Sequence, residues 1–247
     1  MSLPVHPILA AGGGPVIPNF GGASKCVVEN HQFCMSWFLH NFNTVFGPRL
    51  VQHIVLTAIA VGVGMVIAFT AAIISYKQNW FETPFSLLAA FLYGIPAIAL
   101  FELLVQLTGI NVFTAEIGLV SYTLLILFRN TLTGLRGVSD ATIEAARAMG
   151  LSSRQRLIRV EIPIAVPAIM AGIRIAAVTT ISLATVAAYI GAGGLGEPIF
   201  EAIQTGFKTE FIAAGALAIA LAIVVDGLLV LLERLVTPWR RRTLQGA

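Results

Sequence analysis

The side chains able to do chemistry are few and scattered. Four histidines (His6, His31, His40, His53) include no pair at HxxxH spacing, so a metal site has little support. Two cysteines, Cys26 and Cys34, cannot build a disulfide framework, although one bridge between them is allowed on an oxidising face. GAGGLG, from Gly191 to Gly196, satisfies the letters of G-x-G-x-x-G. A dinucleotide site needs that pattern between a strand and a helix. Here it follows an apolar stretch, and a flexible turn or re-entrant segment is expected, with Gly191, Gly193, Gly194 and Gly196 as candidates for an outer loop or gate. No G-x-x-x-x-G-K-[ST] occurs, so the chain has no P-loop for ATP. A membrane-embedded enzyme would need a clustered Ser/His, Asp pair or metal set, and none appears.

Two carboxylates, Glu102 and Asp226, lie inside apolar stretches. A charge at mid-membrane costs at least about 2.5–3.5 kcal/mol on insertion scales, so each is expected to face the bundle interior, a water cavity or a basic partner. Glu102 is a candidate for a translocation path, with a neutralised packing residue as the equal alternative. Asp226 reads as structural, and Arg174 as snorkelling or paired with a carboxylate. Tyr93, Tyr122, Tyr189 and Trp80 offer ring faces for a cation, but aromatics at span ends are ordinarily interfacial anchors.

The elements that must position these groups are set by composition. Of 247 residues, 57% are hydrophobic and 11% charged, against roughly 45–50% and about 25% in soluble chains. With a mean hydropathy of +0.88, too few charges remain to cover a water-facing surface. The fold class is an all-α integral membrane protein. Residues 1–49 read as an irregular Pro- and Gly-rich tail ending in a short interfacial helix near Trp37–Phe46, and not as a secretory signal. Five spans are expected within 50–236: about Leu50–Tyr76, Thr83–Leu107, Ile117–Phe128 with a possible extension to Leu135, Pro163 or Pro167 to Ile190, and Phe211–Leu235. Ala58, Gly62 and Gly64 would let a neighbour approach the first. Gly94 and Pro96 predict a kink in the second, its freed carbonyl satisfied by a neighbour or water.

Charge then sets orientation. Arg129, Arg136, Arg147, Arg154, Arg156 and Arg159 lie between the third and fourth spans, and Arg240, Arg241 and Arg242 lie in the basic tail over 237–247. The loop before the last span carries Glu197, Glu201 and Glu210 with only Lys208. The positive-inside rule puts the arginine-rich loop and the C-terminus in the cytoplasm, and five spans put the N-terminus outside. Within that loop, Ser139 or Asp140 can cap a helix that has Glu144 in its first turns. Gly150 supplies a left-handed C-terminal position, Ser152 and Gln155 fit a capping box for a second helix, and Pro163 closes it. Left to physics, the segment 139–163 is either an orienting, lipid-touching connector or a docking element with an exposed alanine face.

EAARAMGLSSRQRLIRVEIP resembles the EAA signature of ABC importer permeases: Glu144, Ala145, Ala146, Gly150, Val160, Ile162 and Pro163 match it position by position, with isoleucine where leucine is usual. PAIMAGIRIAAVTTISLATVAAYIGAGGLGEPIFEAI, with RNTLTGLRGV, is similar to the permeases of glycine betaine, carnitine and choline importers; methionine importer permeases share GAGGLG. The resemblance covers residues 50–236. It implies a methionine-importer-like permease core, without an enzyme activity of its own, in a bacterial or archaeal cytoplasmic membrane. The implied partners are ABC ATPase subunits that dock on 139–163, a second permease copy or homologue, an extracytoplasmic substrate-binding protein and the bilayer, with no nucleic acid. No cofactor is expected in this chain, since ATP and Mg belong to the ATPase. The competing functional class is a secondary transporter or channel, which predicts internal repeats and paired broken helices; no clear repeat is seen here, and the signature segment would be left unused.

Overall fold

A computed structural model describes residues 25–30 and 33–238. Residues 1–24 of the irregular tail expected over 1–49, and the cluster Arg240–Arg242, lie outside the described residues. A short α1 (Lys25–Glu29) is followed by α2 (Met35–Asn41), which passes through a π-helical turn (Phe42–Phe46) into α3 (Gly47–Lys77). Next come α4 (Asn79–Gly94), α5 (Ala97–Thr108), α6 (Val112–Arg136), α7 (Asp140–Ala148) and α8 (Ser153–Arg156). A second π turn (Leu157–Glu161) leads into α9 (Ile162–Ala187), and α10 (Gly196–Thr205) and α11 (Lys208–Val236) complete the chain. Every described regular element is a helix.

Four continuous helices are long and apolar enough to cross a membrane, and the α4–α5 pair makes a fifth if it counts as one span. The apolar runs locate all five, but their bounds differ from the sequence expectation. The stretch near Trp37–Phe46 is helical and runs on into α3: 35–77 is a continuous helical run of 43 residues, roughly 65 Å at 1.5 Å per residue, about twice the hydrocarbon thickness. Its first turns are held by rings rather than left loose. Trp37 packs edge-on against Phe207 at 4.7 Å, and Phe46 is buried against Ala213 and Ala214. Pro163 closes nothing either. It sits in the first turn of α9, where a missing N–H is tolerated. The preceding π turn hands the Ile162 N–H to the Leu157 carbonyl, so the chain runs on to Ile190.

At Gly94–Pro96 the kink is a full break of 102° between α4 and α5. The Tyr122 hydroxyl donates to the Ile95 carbonyl at 2.5 Å, satisfying the group that the break exposes. Close approaches of α3, α6 and α9 build the core. A Cβ on Gly64 would strike the Thr123 side chain, one on Gly172 would meet Asn130 Cβ at 2.6 Å, and one on Gly134 would meet Ala168 at 2.9 Å. Gly62 and Ala58 do not serve this purpose; Gly62 has open space around it, and both line an apolar groove between α3, α9 and α11.

Helix directions give the bundle two chemically distinct ends. α3 and α6 both start near the glycine run and finish at the arginine-rich segment, while α9 returns the other way. Asp226 meets Arg174 through two hydrogen bonds, at 2.8 and 3.0 Å, with Glu233 a further 3.9 Å contact. The mid-span charges of α9 and α11 are therefore partnered, as the cost of a lone intramembrane charge demands. Glu102 differs: it is exposed on α5, outside the core of this chain.

Candidate functional site

At the arginine end, Ser139 caps α7: its Oγ accepts from the Thr142 N–H at 3.4 Å and contacts Thr142 Oγ1 at 2.8 Å. The helix stops at Gly150, whose φ of +79° is a left-handed conformation. There the Gly150 N–H donates to Arg147 O at 2.9 Å and the Leu151 N–H to Ala146 O at 3.2 Å, a Schellman pair that only a residue tolerant of positive φ can close. Ser152 and Gln155 form a reciprocal capping box, at 2.9 and 3.3 Å, and start α8. Ala146 is buried beneath this turn, so it anchors the segment rather than facing outward.

Glu144, Ala145, Arg147, Ala148 and Met149 are exposed, Met149 at 72%, and so are Arg154, Ile158 and Arg159. Small residues, apolar tips and guanidinium groups thus share one end of the molecule. Val160 and Ile162 are half-buried, and Ile162 packs toward Leu135, Leu157, Ala165 and Ile169. Glu161 stands between them at 1% exposure and is ion-paired to Arg156. The Tyr76 hydroxyl, at the end of α3, lies against the same carboxylate. Sequence reasoning missed this buried acid, because nothing local distinguishes Glu161 from the solvated charges around it.

At the opposite end the glycine run is not a flexible turn. Residues 192–196 are buried, and two side chains of α3 grip their backbone. Gln52 Nε2 donates to Ala192 O at 3.0 Å, while its Oε1 accepts from the Gly194 N–H at 3.0 Å. His53, fully buried, accepts from the Leu195 N–H at Nδ1 (3.2 Å), so Nε2 carries the proton donated to Ile181 O at 3.0 Å. Gly191, Gly193 and Gly194 all have φ above +70°. A Cβ on Gly193 would enter the Gln52 amide, and one on Gly194 would come within 2.9 Å of His53 Nδ1. Gly196 opens α10 directly against the Thr185 carbonyl. Arg49, on α3, and Glu197, on α10, close the same corner with a 2.5 Å ion pair.

Cys26 and Cys34 are bridged at this end. Their loop grips the α10–α11 turn: Asn30 Nδ2 donates to Gly206 O (2.7 Å), its Oδ1 accepts from the Lys208 N–H (3.0 Å), and the Cys34 N–H donates to Thr209 Oγ1 (3.0 Å). Val27, Cys34 and Phe207 form a buried cluster beneath it. Sequence reasoning also overlooked Glu116 on α6, whose two carboxylate oxygens are buried without a hydrogen-bond partner among the described residues. No group of three or more His, Cys, Asp or Glu is placed to hold a metal ion among the described residues.

This membrane-spanning helical bundle, with a signature-bearing segment at one end and a gripped glycine loop at the other, matches a known architecture. The chain belongs to the family of binding-protein-dependent transport system inner membrane components, whose profile matches residues 36–238. It is thus a multi-pass inner-membrane protein of the ABC importer permease type. It is 41% identical over 193 residues to the osmoprotectant import permease protein OsmW of Salmonella typhimurium, covering 76% of this chain and 89% of that protein. Over 188 residues it is 36% identical to the carnitine transport permease protein OpuCB of Listeria monocytogenes and 33% identical to the choline transport system permease protein OpuBB of Bacillus subtilis. Each alignment covers 76% of this chain and 86% of the relative. Among solved structures, a chain of the MetNI methionine ABC transporter in inward-facing conformations superposes with a TM-score of 0.72 at 21% identity, covering 82% of this chain and 98% of that one. A chain of an amino acid ABC transporter with histidines gives 0.69 at 18%, covering 82% and 99%. At those identities the likeness establishes the fold alone.

Proposed function

We propose that this chain is the permease subunit through which an ABC importer takes up quaternary-amine osmoprotectants of the glycine betaine, carnitine and choline type. The carrying observation is the 33–41% identity, over about three quarters of the chain, to permeases named for osmoprotectant, carnitine and choline transport. The methionine-transporter likeness is weaker in sequence and concerns the fold.

In this reading the segment 139–163 is the docking element for a separate ATPase. Ala145, Ala148 and Met149 present small and apolar contact surface, Glu144 meets a basic group, and Arg147, Arg154 and Arg159 meet an acidic rim. ATP and Mg are held by that partner, and this chain hydrolyses nothing alone. The arginine end is cytoplasmic. The Cys26–Cys34 bridge at the opposite end supports this orientation, because bridges persist on oxidising faces. The glycine end then faces the substrate-binding protein. A second permease copy is supported by α11, whose most apolar stretch has no residue buried by the rest of the chain. ATP draws the ATPase subunits together, the docked segments move, and the opposite end opens to the loaded binding protein.

Expression with its ATPase and binding protein, in a host lacking its own osmoprotectant uptake, tests the assignment. Growth at high osmolarity should return when a betaine-type solute is supplied. Rescue of a methionine-uptake mutant, without osmotic rescue, would overturn it.

A further inference from the structure

Three helices, α3, α6 and α9, run between the two ends of the molecule, and α3 meets both the root of the docking segment and the glycine loop through its side chains. At the arginine end, Tyr76 of α3 lies against the buried Glu161 carboxylate, and Ile73 and Tyr76 pack against the cluster of Leu135, Leu157, Ala165 and Ile169. At the other end, Gln52 and His53 of α3 hold the Gly194 and Leu195 amides. The 23 residues from His53 to Tyr76 span roughly 35 Å at 1.5 Å per residue, and α3 is unbroken between them. The π turn Leu157–Glu161 separates the docking helices from α9. Such turns are rare inside α-helices and occur frequently at functional sites. The Arg156–Glu161 ion pair spans that turn.

We propose that Glu161 is a positioning residue that fastens the docking segment to α3, and that α3 transmits displacement of that segment as a rigid rod to the glycine loop through Gln52 and His53. The inference rests on the reading of 139–163 as the ATPase-docking segment. It explains why an acid is buried at a place the EAA signature leaves unspecified. It also explains why side chains of α3 hold the glycine loop in addition to its own turn bonds. A displacement at one end of a packed helix reaches the other only if both ends are pinned by discrete, directional contacts. Here one end of α3 is held by the Tyr76 hydroxyl and by packing of Ile73 and Tyr76 at the root of the docking segment, the other by two hydrogen-bonded side chains.

The test is amide hydrogen exchange at Gly194 and Leu195 in the assembled permease–ATPase complex, with and without a trapped ATP analogue. No transported solute is needed, so an error in the substrate assignment leaves the test intact. In the wild type, nucleotide should change exchange at these two amides by at least about threefold. Glu161→Gln and Tyr76→Phe should abolish that change while the ATPase still co-purifies. Tyr76→Phe removes only a hydroxyl, so it decides the matter if Glu161→Gln lowers abundance. Gln52→Ala, combined with Glu161→Gln, should reduce nucleotide-dependent opening no further than the worse single variant. An unchanged nucleotide response in Tyr76→Phe, or additive losses in the double variant, would overturn the proposal. So would a wild-type loop that ignores nucleotide. Failure to transport any betaine-type solute would instead overturn the substrate assignment.

Discussion

Replacing Gly150 by valine isolates the geometry of the docking segment from everything else in the protein. A Cβ built there meets nothing within 4 Å, so no steric clash contributes. The cost is conformational: at φ +79° an L-residue is strained by roughly 1–2 kcal/mol, with β-branched side chains the worse case. If the chain escapes that strain, the Gly150–Arg147 and Leu151–Ala146 bonds open and the direction of α7 relative to α8 changes. With RT near 0.59 kcal/mol, a 1–2 kcal/mol bias depletes the docking geometry about 5- to 30-fold, and the apparent ATPase affinity should fall by the same factor. The spans hold no part of this turn, so membrane abundance should stay normal. Titration of the ATPase onto nanodisc-embedded permease measures the affinity directly. Gly150→Asn is the control, because asparagine tolerates the left-handed region and should bind within a few-fold of wild type. Wild-type affinity for the valine variant, or equal losses for valine and asparagine, would refute the argument.

Gly196→Ala should lower thermal stability in detergent, because its Cβ would meet the Thr185 carbonyl and lie 2.6 Å from Ala188 Cβ; overpacking of this kind costs about 1–3 kcal/mol. Arg174→Met should reduce folded abundance by stranding Asp226, whereas Arg174→Met with Asp226→Leu should recover it; immunoblots of membrane fractions read both. Serine at Cys26 and Cys34 should leave the spans intact but speed hydrogen exchange at Lys208, whose amide is held by Asn30 of the bridged loop, and unchanged exchange would show that the loop grips the turn without its bridge.

The long apolar runs make the span helices legible, since only helices and closed barrels satisfy a backbone in lipid and continuous apolar runs of about 20 residues fit the helix. The local signals of the docking segment are legible for the same kind of reason. The Ser139 cap, the Gly150 stop and the Ser152–Gln155 box all join residues within five positions of one another. What escaped joins distant ones. His53 reaches Ile181 and Leu195 across 128 and 142 positions, and Gln52 meets the same loop. Those contacts turn an apparently flexible glycine run into a packed one. The kink at Pro96 was readable, but the carbonyl freed by its 102° break is capped by Tyr122, 27 residues further on. Pro163 reads as a stop because the π turn that accommodates it leaves no mark in composition. Glu161 and Glu116 are indistinguishable by sequence from ordinary acids, because burial is a property of the packed neighbours and not of the residue.

The central claim is best tested by uptake in proteoliposomes that contain this permease, its ATPase and its binding protein. The expected result is accumulation of at least one of glycine betaine, carnitine or choline that requires both ATP and the binding protein, with methionine neither accumulated nor competing. Accumulation of methionine instead, or uptake of any of these solutes without ATP, would contradict the account.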